Sequence, residues 1–143
     1  MSKKALHKAR WKARLIRRHF VVLSLSLVAL AAIRVVLTVS SYRTALRLIE
    51  RAPPRELPDI PVTVIVWAVR HTARLVPGAT CLTQAIATRY LLSRIGEPCI
   101  IRVGMAQGGS QALEAHAWVI HQGKVLIGGD SEDIGRFTPL VDL

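Results

Sequence analysis

Two residues of the sequence, Cys81 and His116, are of the types that nucleophilic catalysis requires. A cysteine thiolate attacks carbonyl carbons, and a neighbouring histidine can take up the proton and return it. Asp130 follows the segment that contains His116, and a carboxylate there can hold the imidazole in one tautomer. We therefore predict a cysteine hydrolase with Cys81 as nucleophile, His116 as base and Asp130 as the orienting residue.

Cys81 is predicted to begin a helix. Thr80 is a good N-cap residue, Arg94 falls in the predicted last turn, Gly96 suits a left-handed C-terminal cap, and Pro98 stops the helix. In the first turn, free N–H groups and the positive end of the helix dipole favour a thiolate over a thiol. The alternative is a small, buried, apolar cysteine, which is a common fate of a free thiol.

His116 falls in the second of three predicted β-strands, which cover residues 99–105, 115–121 and 124–128. Gln122-Gly123 is the predicted two-residue hairpin turn between the second and third strands. This turn pairs Trp118 with Ile127 and places His116 opposite Gly129. A histidine on an otherwise apolar strand face is also typical of a satisfied core residue, and that alternative stays open.

Asp130 reaches His116 only if the third strand is irregular. Regular alternation puts the two side chains on opposite faces of the sheet. A β-bulge at Gly128-Gly129 would return Asp130 to the face of the histidine. Glu114 and Asp133 are the alternative orienting residues.

The charge of the chain is strongly basic and unevenly distributed. The net charge is +11 over 143 residues, a length typical of one small domain. Basic residues crowd residues 1–19, and the first acid is Glu50. Such a segment suits nucleic acid, anionic lipid or an acidic peptide, and a solvated tail is the alternative. The sequence has no aromatic-interleaved RNA motif, so we expect no nucleic acid partner.

The chain has two cysteines, Cys81 and Cys99. This number argues against a disulfide framework and fits a reducing compartment. Cys99 begins an apolar strand and is expected in the core. No zinc-ligand spacing is present, and we expect neither a metal nor a cofactor.

An apolar run from Phe20 to Val39 is interrupted by Arg34 and is long enough to span a bilayer. It is apolar all round, which suits either a membrane span or a buried helix. We expect a helix packed on the domain, with the span as the alternative.

Three further segments complete the predicted architecture. Residues 41–51 and 62–75 are predicted helices, with a strand as the alternative for the second, and an extended proline-rich linker joins them. Trp67 is expected in the core. Residues 137–143 are predicted to form an edge strand with Phe137 and Leu140 as packing residues. The predicted divisions are a basic segment at 1–19, a helical part at 20–76 and a catalytic core at 77–143.

The carboxyl-terminal half resembles the lasso-peptide biosynthesis B2 proteins. The resemblance lies in Cys81-Leu82 opening a helix, in Gly96-x-Pro98 after it, and in Ala115-His116-Ala117-Trp118-Val119. It covers residues 75–143, and it implies an α+β fold with a papain- or transglutaminase-like cysteine protease core. It also implies a leader peptidase whose triad maps onto Cys81, His116 and Asp130.

The resemblance implies partners as well. They are a lasso precursor peptide, a separate leader-binding B1 protein and a lasso cyclase. The free cysteines lead us to expect a cytoplasmic location, and contact of the basic and apolar amino-terminal part with the inner face of the membrane is left open. Two other functions remain: transglutaminase-type acyl transfer to an amine, and a non-enzymatic, basic, membrane-associated adaptor in which Cys81 and His116 only pack.

Overall fold

The computed structural model describes residues 3–51, 60–109 and 112–143. The helices of this part of the chain are α1 (Lys3–Val39), α2 (Tyr42–Arg51), α3 (Val62–Ala73), α4 (Cys81–Arg94) and α5 (Ser131–Gly135). The strands are β1 (Ile100–Gln107), β2 (Leu113–His121), β3 (Lys124–Ile127) and β4 (Thr138–Asp142). The predicted proline-rich linker lies mostly outside the described residues.

The four strands form one antiparallel sheet in the order β3-β2-β1-β4. Helix α4 packs against this sheet, and α1 and α3 pack against α4. Helix α4 therefore lies between the sheet and the amino-terminal helices. The predicted α+β class is confirmed, and β4 is the edge strand expected from residues 137–143.

Helix α1 joins the basic segment and the apolar run in a single element. Its buried residues recur at helical spacing along one face, and they are Val22, Ser26, Ala29, Leu30 and Ile33. This face packs against α3 and α4. Residues Ile16–Val39 are also long and apolar enough to cross a membrane, a criterion that core helices and signal sequences meet too.

Helix α4 begins and ends as the sequence predicts. The Thr80 hydroxyl oxygen accepts a hydrogen bond from the backbone N–H of Thr83, so it caps the first turn. At the other end, Gly96 has a φ of +76°. The backbone N–H of Glu97 donates to the carbonyl of Leu92, which closes the helix in a Schellman motif. The two caps fix the ends of the helix, and the Thr80 cap places Cys81 at the first helical position.

Two predicted core residues are exposed. Trp67 on α3 is 41% exposed and packs its ring between those of His19 and His71. Leu140 on β4 is 60% exposed, whereas Phe137 is buried as predicted. Trp67 is exposed because α3 turns the face bearing Ile65 inward. Leu140 is exposed together with every other residue of β4, so neither face of this strand is covered.

Candidate active site

Cys81 and His116 lie on two elements that pack together. Cys81 is the first residue of α4, and His116 is in β2. Both side chains are half-buried, and both line the same two neighbouring cavities. The two residues are 35 positions apart in the sequence, so only the packing of α4 on β2 brings them to one cleft.

The two cavities differ in chemistry. The first, here called the apolar cavity, has a volume of about 300 Å³. Besides Cys81 and His116, its lining residues are Tyr42, Leu82, Val103, Ala115, Ala117, Val141 and Leu143. The second, the polar cavity, has a volume of about 380 Å³. Its other lining residues are Arg70, Gln84, Ile127, Gly128, Gly129, Asp130 and Asp133. A chain laid across Cys81 would thus meet an apolar surface on one side and a polar surface on the other.

The His116 imidazole is held by a main-chain group. Its Nε2 atom is hydrogen-bonded to the carbonyl oxygen of Gly128. A carbonyl oxygen only accepts hydrogen bonds, so Nε2 must carry the proton. In the neutral ring this leaves the lone pair on Nδ1. The ring is therefore held in the tautomer that can accept a proton through Nδ1.

Aromatic rings fix the plane of the imidazole. The centroid of the His116 ring is 5.1 Å from that of Phe137 and 6.1 Å from that of Trp118, and both pairs are stacked. Trp118 and Phe137 are buried. The sequence predicts Phe137 as a packing residue, but its position against the histidine depends on how the segment after α5 folds back. No sequence signal identifies that contact.

The predicted bulge at Gly128-Gly129 is not present, because β3 ends at Ile127, and a bulge lies earlier in the strand instead. In the β2–β3 hairpin Ile120 pairs with Val125 and Val119 pairs with Ile127, so Leu126 is the extra residue. The predicted pairing of Trp118 with Ile127 is therefore wrong by one residue. The predicted hairpin turn at Gln122-Gly123 is confirmed, since both residues have positive φ angles.

Gly128 approaches β2 so closely that no side chain fits. A Cβ atom built there would lie 2.5 Å from the Trp118 Cβ, and the φ of Gly128 is +109°. Both conditions require glycine. This close approach brings the Gly128 carbonyl to His116.

The three candidate orienting carboxylates occupy different places. Asp130 is exposed, precedes α5 and lines the polar cavity together with Asp133. Glu114 is exposed and forms an ion pair with Arg136, with an Nη1–Oε2 distance of 3.3 Å. Asp130 thus borders the same cavity as His116, and its role as the orienting residue stays a prediction.

Two further polar residues line the polar cavity. Arg70 on α3 donates a hydrogen bond of 2.9 Å to the carbonyl oxygen of Leu126, the bulged residue of β3. This bond ties α3 to the strand end that leads to Gly128, and the sequence gives no sign of it. Gln84 is half-buried one turn after Cys81, on the side of α4 that faces the cavity.

Cys99 has a different environment from Cys81. It is half-buried before β1, and burial raises the pKa of its thiol, while the nearby Arg89 acts in the opposite direction. A raised pKa keeps the thiol protonated and unreactive at neutral pH. Among the described residues, no three histidine, cysteine or acidic side chains are grouped so that they would hold a metal ion.

Comparison with known proteins identifies the family. Residues 23–142 match the sequence model of the Transglutaminase-like superfamily. The chain belongs to the transglutaminase-like superfamily. Members of this superfamily are generally enzymes of the cysteine protease or acyltransferase type. No curated protein and no solved structure matches the chain.

Proposed function

We propose that this transglutaminase-like protein is a cysteine peptidase that removes the leader from a lasso-peptide precursor. The observation that carries the enzymatic part is the cleft shared by Cys81 and His116, with the imidazole held through Nε2. The motifs around Cys81 and His116 that resemble the B2 proteins support the lasso-peptide part.

In the proposed acylation step, Sγ of Cys81 attacks the scissile carbonyl carbon. The thiol proton passes to Nδ1 of His116, the ring nitrogen that the Gly128 hydrogen bond leaves with a lone pair. The tetrahedral intermediate then collapses, the C–N bond breaks, and His116 gives the proton to the leaving amine. The acyl group remains on Cys81 as a thioester. Asp130 is proposed to stabilise the imidazolium across the polar cavity.

The oxyanion of that intermediate needs hydrogen-bond donors close to Cys81. In the first turn of α4, the N–H groups of Thr83 and Gln84 already donate to Thr80. The N–H of Cys81 has no acceptor within the helix, because it lies at the first helical position. We assign the oxyanion to this N–H and to the side-chain amide of Gln84, which faces the polar cavity.

Water completes the proposed reaction. It attacks the thioester with His116 as general base, which releases the acid product and frees Cys81. The proposed substrate is a lasso precursor cut between leader and core, delivered by a leader-binding B1 protein and passed on to a lasso cyclase. A cytoplasmic location fits this proposal because both described cysteines are free thiols.

The test is cleavage of a precursor peptide by the full chain in the presence of a leader-binding B1 protein. We expect mass spectrometry to find leader and core as separate products. Cys81→Ala and His116→Ala should abolish the products, and Cys99→Ala should retain them, because Cys99 lies away from both cavities.

Adding a primary amine separates hydrolysis from acyl transfer. Acyl transfer would give an amide whose mass exceeds that of the acid product by the mass of the amine less one water. Such a product would assign transglutaminase-type transfer to the same thioester. A Cys81→Ala protein that still released the leader would contradict an enzymatic role for the cleft and favour the adaptor.

A further inference from the structure

The outer face of α1 is apolar and exposed. On the side of the helix opposite to the buried residues, Phe20 is 69% exposed, Val28 66% and Val35 61%. Val21 and Val39 lie on the same side and are exposed as well. A single exposed valine needs no explanation, but a row of apolar side chains along one helix face marks an interaction surface.

Basic side chains continue the same face toward the start of α1. Arg14, Val21, Val28 and Val35 follow one another at every seventh position, which is two helical turns, so they lie along one line. Arg10 and Arg17 are exposed beside this line. The face therefore combines a cationic end with an apolar remainder, and α1 contains no acidic residue to neutralise it.

The inner face of α1 argues against a membrane span. Leu30 is fully buried and Val22 nearly so, where α1 packs on α3 and α4. Arg34 reaches the chain just before α4, where its Nε donates to the carbonyl of Pro77 at 3.4 Å. A helix surrounded by lipid would lose these contacts, whereas a helix lying on a bilayer keeps them.

We propose that the outer face of α1 (Arg10, Arg14, Arg17, Phe20, Val21, Val28, Val35 and Val39) binds the surface of an anionic lipid bilayer. The helix would lie in the plane of the interface, with its valine and phenylalanine side chains among the acyl chains and its arginines at the head groups. Charge favours lipid over a second copy of the chain, because a parallel pairing along this face would bring Arg14 of each copy together. An antiparallel pairing would instead set the arginines of each copy against the valines of the other.

This orientation leaves the catalytic cleft accessible. Cys81 and His116 lie at the junction of α4 and β2, and no described residue that lines either cavity belongs to α1. A peptide could therefore enter the cleft while α1 rests on the bilayer. The proposal goes beyond the proposed peptidase function and does not depend on it.

The test is co-sedimentation of the full chain with vesicles. We expect binding to vesicles of phosphatidylglycerol mixed with phosphatidylcholine, weaker binding at high salt, and little binding to phosphatidylcholine alone. Replacing Phe20 and Val28 together by glutamate should weaken binding by about a hundredfold, because two buried apolar side chains are lost. Replacing Arg10, Arg14 and Arg17 by glutamine should weaken binding to the anionic vesicles by about a hundredfold too.

Leu113→Glu is the matched control. Leu113 is 69% exposed but lies on β2, away from α1, so this variant should bind the vesicles as the unchanged chain does. Melting curves of all variants report whether they fold. Binding that is unaffected by the α1 variants would overturn the proposal, as would protein that alkaline carbonate cannot extract, which indicates a span. A dimer that forms without lipid and is lost in the Phe20 and Val28 variant would overturn it as well and assign the face to a second copy.

Discussion

At the level of single residues, the contact between His116 and the Gly128 carbonyl decides how the histidine can act. The bond requires the proton on Nε2, and the stacked rings of Phe137 and Trp118 limit rotation of the imidazole. The orientation of the imidazole therefore depends on the path of the main chain at residue 128 as well as on the side chain of residue 116.

Gly128→Ala should lower leader cleavage by about a hundredfold, because the added methyl group cannot fit against Trp118 and must push the carbonyl away from His116. The measurement is kcat/KM on the precursor, together with the melting temperature. Gly135→Ala is the control, since a Cβ at Gly135 meets no atom within 4 Å. Equal activity of the two variants would show that the Gly128 carbonyl does not position the histidine.

The two thiols should differ in reactivity. Because burial raises the pKa of Cys99, we expect iodoacetamide at neutral pH to modify Cys81 and to leave Cys99 unmodified. Peptide mapping of the alkylated protein measures both sites. Raising the pH should increase the labelling of Cys99, since more of its thiolate then forms. Equal labelling of both residues at neutral pH would contradict the proposed activation of Cys81.

The sequence was sufficient to select Cys81 and His116, which the structure brings to one cleft, because both are recognised by residue type and Cys81 also by the caps of its helix. Thr80 and Gly96 determine where α4 begins and ends through local hydrogen bonds, so these ends can be predicted without the rest of the chain. The hydrogen bond from His116 to Gly128 was not predictable, since any residue offers a carbonyl. Arg70 and Phe137 were missed as site residues because their positions arise only from tertiary packing.

At the level of elements, the β2–β3 hairpin shows how the prediction of register failed. The turn at Gln122-Gly123 was correctly predicted from local sequence, but the extra residue at Leu126 shifts every later pair by one. Arg70 of α3 bonds the carbonyl of that residue. The bulge is thus stabilised by a helix distant in sequence. The alternation of apolar residues in β3 therefore could not predict the bulge.

The attachment of β4 to β1 should depend on pH. Arg102 donates two hydrogen bonds to the carboxylate of Asp142, at 2.6 Å and 2.8 Å, and these bonds lower the pKa of Asp142. A carboxyl whose pKa is lower in the folded state adds stability above its ordinary pKa of about 3.9, and the contribution is lost as the pH falls through the folded-state value.

Asp142→Asn should therefore lower the melting temperature slightly at pH 6 and have less effect as the pH falls below about 4. The side chains of Arg102 and Asp142 are both open to solvent, so added salt should reduce the difference in melting temperature at pH 6. Glu132→Gln, which neutralises an exposed acid of α5, is the control. If the difference in melting temperature between Asp142→Asn and the unchanged chain stayed constant down to acid pH, the ion pair would not contribute to stability.

At the level of the whole molecule, α1 is part of the folded domain on one side and an exposed surface on the other. The sequence predicted a packed helix for the apolar run, with a membrane span as the alternative, and it left contact with the membrane surface open. Hydropathy could not separate the faces because apolar residues surround the helix. The packing of α3 and α4 on one side of α1 separates them.

Leu30→Ala should destabilise the protein by about 2–5 kcal/mol, because it opens a cavity at a fully buried position between α1 and the other helices. Val35→Ala removes methyl groups from an exposed site of the same helix and should change stability by less than about 0.5 kcal/mol. Urea unfolding without detergent measures both. Equal effects would mean that α1 does not pack on the domain in solution.

The hydrogen bond between the His116 imidazole and the Gly128 carbonyl also affects how related sequences should be searched. A comparison that looks for a third catalytic partner by side-chain identity would pass over this atom, because the peptide unit is common to all twenty amino acids. Whatever Asp130 contributes, substitution cannot delete the oxygen that His116 contacts; it can only displace it. Such a search should therefore look for a glycine directly after β3, at the position of Gly128.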